Sequence, residues 1–543
     1  MRNFIRVIVF VAVGCWILQI TENILEKKWN YPGDYEEVPK IINEFYGLEK
    51  ESLEAVFLGK SSVKLAVSPI QIYKDSNIVT YNLASSAQPI QISYYLLQEV
   101  FKSQTPELVF LDASELFRGS VSEDYSWHFI MDNTPWSMNK MEAATSYMNE
   151  EKGRDFLSIM SPLYYYHARW DELTKNDFMK QDNTEYYYSA GQYMTSLVSG
   201  TSLTYENINS EIDVMNRQQG FKEEYVGHTC KKYEIEGDLY HVTWNQTAVA
   251  YIKKMQKACE KHGAQLVLLK IPTIGMPQVN YISWSRDKYK MVKEFCDEIS
   301  VPFFDMVYDT TYEAGINWLE DTIDGGAHLN TRGAEKVTSC ITAYLEKQGL
   351  KRKIDELFYQ SAEDYDRVNR VCLMQSEFDL VKYIERILAN EDYTIVISAQ
   401  NDFQASLSEE RLEALRRLGL QSCFTNNLRD SFIGIIDHHK VIYESISNRR
   451  MDYEKILPGG GKMEIISSGL NTGALSSVKI DGKEYSTNMC GLNFVVWDNR
   501  TNLVVDSVCF NTSLSGAAGF RNKSVTLKYL AQYKQAVNGQ ARQ

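Results

Sequence analysis

Short apolar runs alternate with amphipathic stretches from residue 50 to about residue 350. Ala55–Leu58 is such a run, closed by Gly59, and Ile78–Ala84, Leu108–Leu111, Gln265–Lys270 and Val301–Phe304 are others of strand length. Between them, apolar positions recur at helical spacing over Ile92–Lys102, Val249–His262, Tyr289–Ile299 and Gly333–Lys347, the last stopped by Gly349. Strands this uniformly apolar need cover on both faces. The alternation therefore predicts an α/β domain over 50–350, a three-layer doubly wound parallel sheet. In such sheets the ligand crevice lies outside the carboxyl ends of the strands, where Gly59-Lys60-Ser61-Ser62 and the loop after Phe304 fall.

Residues 115–248 interrupt the pattern with a stretch rich in Trp, Tyr and Met, including Tyr164-Tyr165-Tyr166-His167 and Tyr186-Tyr187-Tyr188. An insertion of this length is expected to be a lid or cap over the site, or a structural subdomain without substrate contact. Residues 351–370 read as a linker. Over 371–525 helical patterns at Asp379–Asn390 and Glu409–Leu418 bracket a strand at Tyr393–Ser398. Strand-like runs follow at Phe432–Ile436, Lys462–Ser467, Val478–Ile480, Leu492–Trp497 and Leu503–Val508, with Pro458-Gly459-Gly460-Gly461 as a turning join. This predicts a second domain, mixed α/β or β-sandwich, before a tail at 526–543. No internal period repeats.

At the N-terminus Arg2 and Arg6 precede an apolar run from Val7 to Ile20, and Glu22, Asn23 and Glu26 follow it. Positive residues before and acids after predict a transmembrane helix over 4–21, N-terminus inside and bulk outside, with 22–49 as a juxtamembrane segment. A cleaved signal peptide is the alternative, but no small-x-small site follows Ile20. Cys15 after Gly14 resembles a lipid-attachment site, yet Trp16, Ile17 and Leu18 continue the apolar run beyond it.

A length of 543 residues calls for two or three cores, and 44% hydrophobic with 24% charged residues is a globular composition. The net charge of −14 argues against nucleic acid as a partner, since phosphate binding needs concentrated Lys and Arg. The 35 tyrosines suit half-buried packing positions or exposed sugar-stacking clefts. No two of the cysteines form a C-x-x-C pair, so neither a zinc ribbon nor a thioredoxin motif is present. Cys259, Cys296 and Cys340 lie in apolar periodic segments, where a buried free thiol is expected.

A nucleophilic serine needs a base to take its proton, and the base needs a carboxylate to orient it. Ser61 stands where the chain leaves the first strand. Asp324-Gly325-Gly326-Ala327-His328-Leu329-Asn330 stands before the last helix of the same domain, with Asn330 or Thr331 placed to cap that helix. Ser61 is thus read as nucleophile, His328 as base and Asp324 as its partner, a site that needs neither metal nor cofactor. Ser85 and Gln88, beside the backbone N–H of Ser61, are read as oxyanion-hole donors. Lys60, Asn82, His167 and Arg169 are read as substrate-binding residues, Arg169 for its bidentate fork. Each has a plainer reading: a solvated Lys60, a polar turn over Asn82–Gln88, and a structural His–Arg–Trp stack at 167–170.

Val56-Phe57-Leu58-Gly59-Lys60-Ser61-Ser62 with Val67-Ser68-Pro69 resembles the first sequence block of SGNH (GDSL-type) hydrolases. Tyr81–Pro89, Leu163…His167-Ala168-Arg169-Trp170 and Asp324…His328-Leu329-Asn330…Gly333-Ala334 are similar to segments of one branch: membrane-anchored accessory proteins of cell-surface polymer acylation, such as the D-alanyl-lipoteichoic acid biosynthesis and alginate O-acetylation proteins. The resemblance covers roughly residues 50–350. Lys60 stands where a small or acidic residue is usual, Ser62 where this branch often has His, and the four-residue step from Asp324 to His328 is wider than usual. The resemblance implies an extracytoplasmic esterase or O-acyltransferase acting on a surface polysaccharide or teichoic-acid-like polymer through an acyl-enzyme, partnered by a membrane-bound O-acyltransferase. The alternative is a catalytically degenerate scaffold that binds surface glycan.

In the C-terminal region, Gly491–Asp498, Asp506–Thr512, Asn401-Asp402, Leu418-Gly419-Leu420 and Arg429–Phe432 resemble pieces of the interleukin-like EMT inducer fold. Their order along the chain is reversed from that family's, as a circular permutation would give. The resemblance implies a carbohydrate-binding role.

Overall fold

The computed structural model describes residues 2–26, 34–117, 122–178, 186–197, 221–226, 229–234, 244–273, 286–308, 314–318, 320–324, 326, 328–422, 424, 429–457, 460–513, 519–526 and 528–540. The chain divides into two units, Met1–Tyr193 with Tyr205–Tyr365, and Met194–Thr204 with Asp366–Gln543.

In the first unit the apolar runs become strands β1 (Ala55–Leu58), β2 (Thr80–Asn82), β3 (Leu108–Asp112), β6 (Gln265–Lys270) and β7 (Phe303–Asp305), with a separate hairpin of β4 (Phe221–Val226) and β5 (Thr229–Glu234). The five strands pair in the order β2-β1-β3-β6-β7, every pairing parallel. Phe57, Phe110, Val267 and Leu269 share one face and pack with Val63 and Ile72 and with Val337 and Ile341 of the helix Thr331–Glu346. Phe57 and Phe110 stack with ring centroids 4.7 Å apart. Each such buried aromatic contributes roughly 1.5–3 kcal/mol. Val56, Val109 and Leu268, on the other side of the pleat, are equally buried, and the helices Ile90–Ser103 and Gln246–His262 make the opposite layer. The chain runs from β1 outward to β2, then back across β1 to β3. The carboxyl edge between β1 and β3 is therefore the switch point of a doubly wound α/β sheet.

The side chains of the helix Arg2–Leu25 are exposed from Phe4 to Ile20, apart from half-buried Gly14; half-buried positions begin at Thr21, and Leu25 is buried. Its stretch Phe4–Leu25 is the one helix among the described residues long and apolar enough to cross a membrane. The described start of the insertion is helical: Asp124–Met131, Met138–Glu150, Phe156–Met160 and Pro162–Tyr166. These pack on one another, on Ile90–Ser103, on Asp34–Gly47 and on the N-terminal helix. Cys259, Cys296 and Cys340 are free, the first two buried and the third half-buried.

Two segments differ from expectation. Residues 351–370, read as a linker, contain most of the helix Glu356–Gln375, because Phe358, Tyr365, Val368 and Val371 recur at helical spacing and are buried. The tail at 526–543 forms the helix Tyr529–Gln540, with Tyr529, Leu530 and Tyr533 buried.

The second unit is mixed α/β. Its ten-stranded sheet contains β8 (Tyr393–Asn401), β9 (Ser431–Asp437), β10 (Lys440–Ser447), β11 (Met451–Ile456), β12 (Lys462–Gly469), β13 (Leu475–Ile480), β14 (Lys483–Glu484), β15 (Gly491–Asp498), β16 (Leu503–Phe510) and β17 (Gly519–Arg521). β8 is the hub: it pairs antiparallel with β15 and β9 and parallel with β12 at Ser468 and Gly469. Every residue of β15 is buried, which explains the unbroken apolar run at 494–497.

Candidate active site

β1 ends at Leu58, and Gly59 follows with φ +151°. A Cβ at this position would lie 2.9 Å from Asp112 Cβ and 3.0 Å from Val63 Cγ2. Glycine thus lets the chain pass close against β3 and turn at once into the helix Ser61–Ala66. The Lys60 carbonyl accepts the N–H groups of Val63 (2.9 Å) and Lys64 (3.0 Å), starting that helix. Ser61 is its first residue, so the Ser61 N–H has no intrahelical carbonyl to meet.

The other half of the site is a loop closed on itself. Thr322 and Leu329 form an antiparallel bridge, Ile323 N–H donates to His328 O (2.9 Å), and Asn330 N–H donates to Asp321 O (3.0 Å). Asn330 then caps the helix Thr331–Glu346, its Oδ1 accepting from the N–H groups of Arg332 (3.0 Å) and Gly333 (3.2 Å). Inside the loop, Asp324 Oδ1 accepts from the N–H groups of Gly326 (3.3 Å) and His328 (3.1 Å). Asp324 Oδ2 lies 2.7 Å from His328 Nδ1, and His328 Nε2 lies 2.8 Å from Ser61 Oγ. An ionised carboxylate only accepts, so Nδ1 carries the imidazole proton and Nε2 is left to receive the Ser61 hydroxyl. The imidazole and carboxylate are 22% and 23% exposed, so the chain of bonds opens to solvent.

Behind Ser61 the edge of the sheet is ionic. Ser62 Oγ donates to Asp112 Oδ2 (2.8 Å), and Asp112 Oδ1 accepts from Ser114 N–H (2.9 Å) and Ser114 Oγ (2.6 Å). Burial works to raise the Asp112 carboxyl, but Lys60, Lys270 and the Ser114 bonds outweigh it and hold the group below its ordinary range. Lys270, wholly buried at the end of β6, donates to Ile271 O (2.9 Å) and Thr273 Oγ1 (2.8 Å). Burial pushes its pKa down to about 8 against the pull of Asp112, and burial with the nearby Lys60 brings Lys288 down to about 8 as well. Lys60 Nζ itself stands 3.9 Å from Glu115 Oε1.

Ser61, His328 and Asp324 are brought together, and Lys60 stands beside them at the ionic edge; Ser85, Gln88, Asn82, Arg169 and His167 do not join them. Ser85 Oγ donates to Gln88 Oε1 (2.8 Å), Ser85 N–H to Gly59 O (3.2 Å) and Gln88 Nε2 to Ser93 Oγ (3.0 Å). Both side chains are buried in that network, which braces the turn; an oxyanion role does not fit. Asn82, also buried, donates its amide to the carbonyls of Val63 (3.2 Å), Lys64 (3.3 Å) and Val67 (3.3 Å), clamping the Ser61 helix from below instead of meeting substrate. Arg169 is buried, bonded to Asp177 Oδ1 (3.0 Å) and to the Leu25 carbonyl, so its fork has no face for a ligand. His167 is on the surface, with Nδ1 2.5 Å from Tyr164 O. Asp112 and Lys270 are site residues that no sequence motif marks. Their signal was a single charged residue closing each of two buried strands.

A doubly wound α/β unit with a hydrogen-bonded Ser–His–Asp chain at its switch point is thus defined. No family model and no curated protein matches the chain. Among solved structures it is similar to a candidate acylhydrolase from Bacteroides fragilis (12% identity, TM-score 0.27), covering 60% of this chain and 99% of that one. A GDSL-like lipase from Bacteroides thetaiotaomicron is comparable (11% identity, TM-score 0.27), with 58% of this chain and 99% of that one covered. A likeness this loose carries no argument about activity.

Proposed function

We propose that the chain is a serine esterase or O-acyltransferase working through an acyl-enzyme on a cell-surface polysaccharide or teichoic-acid-like polymer. The continuous Ser61–His328–Asp324 hydrogen-bond chain carries this reading. Ser61 Oγ attacks the ester carbonyl carbon while its proton passes to His328 Nε2. The Ser61 N–H, free at the helix start, faces the developing oxyanion. His328 then returns the proton to the leaving alcohol as the C–O bond breaks, and the acyl group stays on Ser61. Water, or a sugar hydroxyl of the polymer, gives its proton to His328 and attacks the acyl-serine, restoring the hydroxyl. Asp324 stays ionised throughout and stabilises the imidazolium. The polymer substrate and a membrane-bound O-acyltransferase partner rest on the sequence resemblance, and the N-terminal helix is read as an uncleaved anchor. A glycan-binding role for the second unit has the same basis.

The test is labelling of the full chain by an organophosphonate serine probe. The proposal expects one label per chain, lost in Ser61→Ala; labelling that survives that change sinks it. A scaffold that only binds glycan would instead retain polysaccharide in a pull-down while turning over no chromogenic acetate ester.

A further inference from the structure

We infer that the insertion surrounding the exit of the N-terminal helix is a bilayer-contacting surface, with Trp136, Met138, Trp170 and Phe178 seated in the lipid headgroup–acyl boundary. The inference rests on the anchor reading of the helix. That helix is exposed from Phe4 to Ile20 apart from half-buried Gly14, and half-buried positions begin at Thr21, so the protein body begins where the apolar run ends. Leu25, already buried, is five residues further, a rise of about 7.5 Å at 1.5 Å per residue. The helix packs there against Pro162–Tyr166, His167–Asp171 and Lys175–Phe178. Arg169 ties this exit down by donating to the Leu25 carbonyl while paired with Asp177. On the other flank, Lys140 feels the charge of Glu22 and donates to the Thr134 carbonyl (3.1 Å), bringing the segment 132–140 to the same place.

Three of these four segments expose large apolar side chains: Trp136 (73%) and Met138 (70%) in 132–140, Trp170 (72%) in His167–Asp171 and Phe178 (65%) in Lys175–Phe178. Among the described residues of the first unit outside the helix itself, only Ile354 is as exposed. Water-exposed tryptophan is costly, and its amphipathic ring favours the membrane interface. A helix that crosses the bilayer and is bonded into the body within two turns brings these side chains close to the lipid surface. The anchor therefore holds the catalytic unit rigidly on the bilayer and not on a flexible leash: the spanning helix supplies the attachment, and the interfacial side chains fix the orientation of the body.

Tryptophan quenching by brominated lipid tests this directly and needs no assay of activity. The full chain is reconstituted in phosphatidylethanolamine–phosphatidylglycerol vesicles doped with phosphatidylcholine brominated near the glycerol end of its acyl chains. Trp16→Phe removes the tryptophan of the helix. The further changes Trp136→Phe and Trp170→Phe keep ring and exposure and so spare the fold. The inference expects the triple variant to lose at least about half of the quenchable emission left in Trp16→Phe. Quenchable emission unchanged between those two chains overturns the surface while leaving the anchor standing. No quenching difference between the wild-type chain and Trp16→Phe overturns the anchor reading and the surface together.

Discussion

Asp324 holds His328 twice, through the ring at Nδ1 (2.7 Å) and through the backbone N–H (3.1 Å), one carboxylate oxygen for each. The wide four-residue step between them is what this double grip requires: the carboxylate folds the loop that carries the imidazole and then orients the ring. Asp324→Asn separates the two tasks. Its carboxamide oxygen can still accept the loop N–H groups, but its amide hydrogens no longer select the tautomer with Nδ1 protonated. Ester turnover is expected to fall roughly 10⁴-fold with the thermal midpoint nearly unchanged, as loss of the orienting carboxylate does in serine triads. Asp324→Ala is expected to lower both. Stopped-flow acylation beside a thermal melt checks this; a midpoint that falls as far in Asn as in Ala would remove the double role.

Ser61 and Ser62 are adjacent, half-exposed and buried respectively, and face opposite needs. Ser61→Ala removes the hydroxyl that meets His328 at the surface, so labelling should vanish while stability moves by less than about 0.5 kcal/mol. Ser62→Ala instead takes a donor from Asp112 Oδ2 inside the sheet edge, leaving a buried carboxylate oxygen short of a bond. That costs about 1–3 kcal/mol and leaves the nucleophile in place. Urea midpoints and probe labelling of the two variants should therefore cross. If Ser62→Ala loses the label and Ser61→Ala keeps it, the nucleophile is misassigned.

Much of this arrangement is legible in the sequence, for physical reasons that also mark where legibility stops. β1, β3 and β6 are apolar at consecutive positions because both faces are covered, so their runs stand out from any helical period. Ser61 and His328 are 267 residues apart, and only the chemistry demanded of a serine nucleophile links them in advance. The helices Ser61–Ala66 and Pro69–Ser76 are too short to show periodicity. Asn82, Gln88 and Arg169 mislead for one shared reason. A polar side chain bonded within the fold has the same letter as one awaiting a ligand, and only the partners tell them apart.

Gly59 is the hinge on which Ser61 is aimed. At φ +151°, with Asp112 Cβ and Val63 Cγ2 within about van der Waals reach of any added carbon, Gly59→Ala combines backbone strain with a clash. A loss of about 1–3 kcal/mol in unfolding free energy is expected, and slower acylation too, since β1 must part from β3 and carry Ser61 away from His328. Denaturant titration and single-turnover acylation measure the two effects. An alanine variant with wild-type values in both would show that the turn has room the geometry denies it.

The buried lysines set a pH dependence of known sign. Lys270 and Lys288, held by burial at about 8 against an ordinary 10.5, lose their protons in the folded chain while the unfolded chain keeps them. Stability of the first unit therefore rises with pH from about 8, because the unfolded state binds more protons there. Cys259 and Cys296 oppose this from pH 9.0 upward: burial pushes both thiols up to about 12, so the unfolded chain ionises first and gains. The expected profile climbs between pH 8 and 9 and flattens or turns over above it. Lys270→Met should lower stability below about pH 8, where Asp112 then lacks its buried cation, and should remove about half of the climb, leaving the share of Lys288. Chemical denaturation at closely spaced pH values resolves the slope. An undiminished climb in Lys270→Met would mean that another group carries the titration.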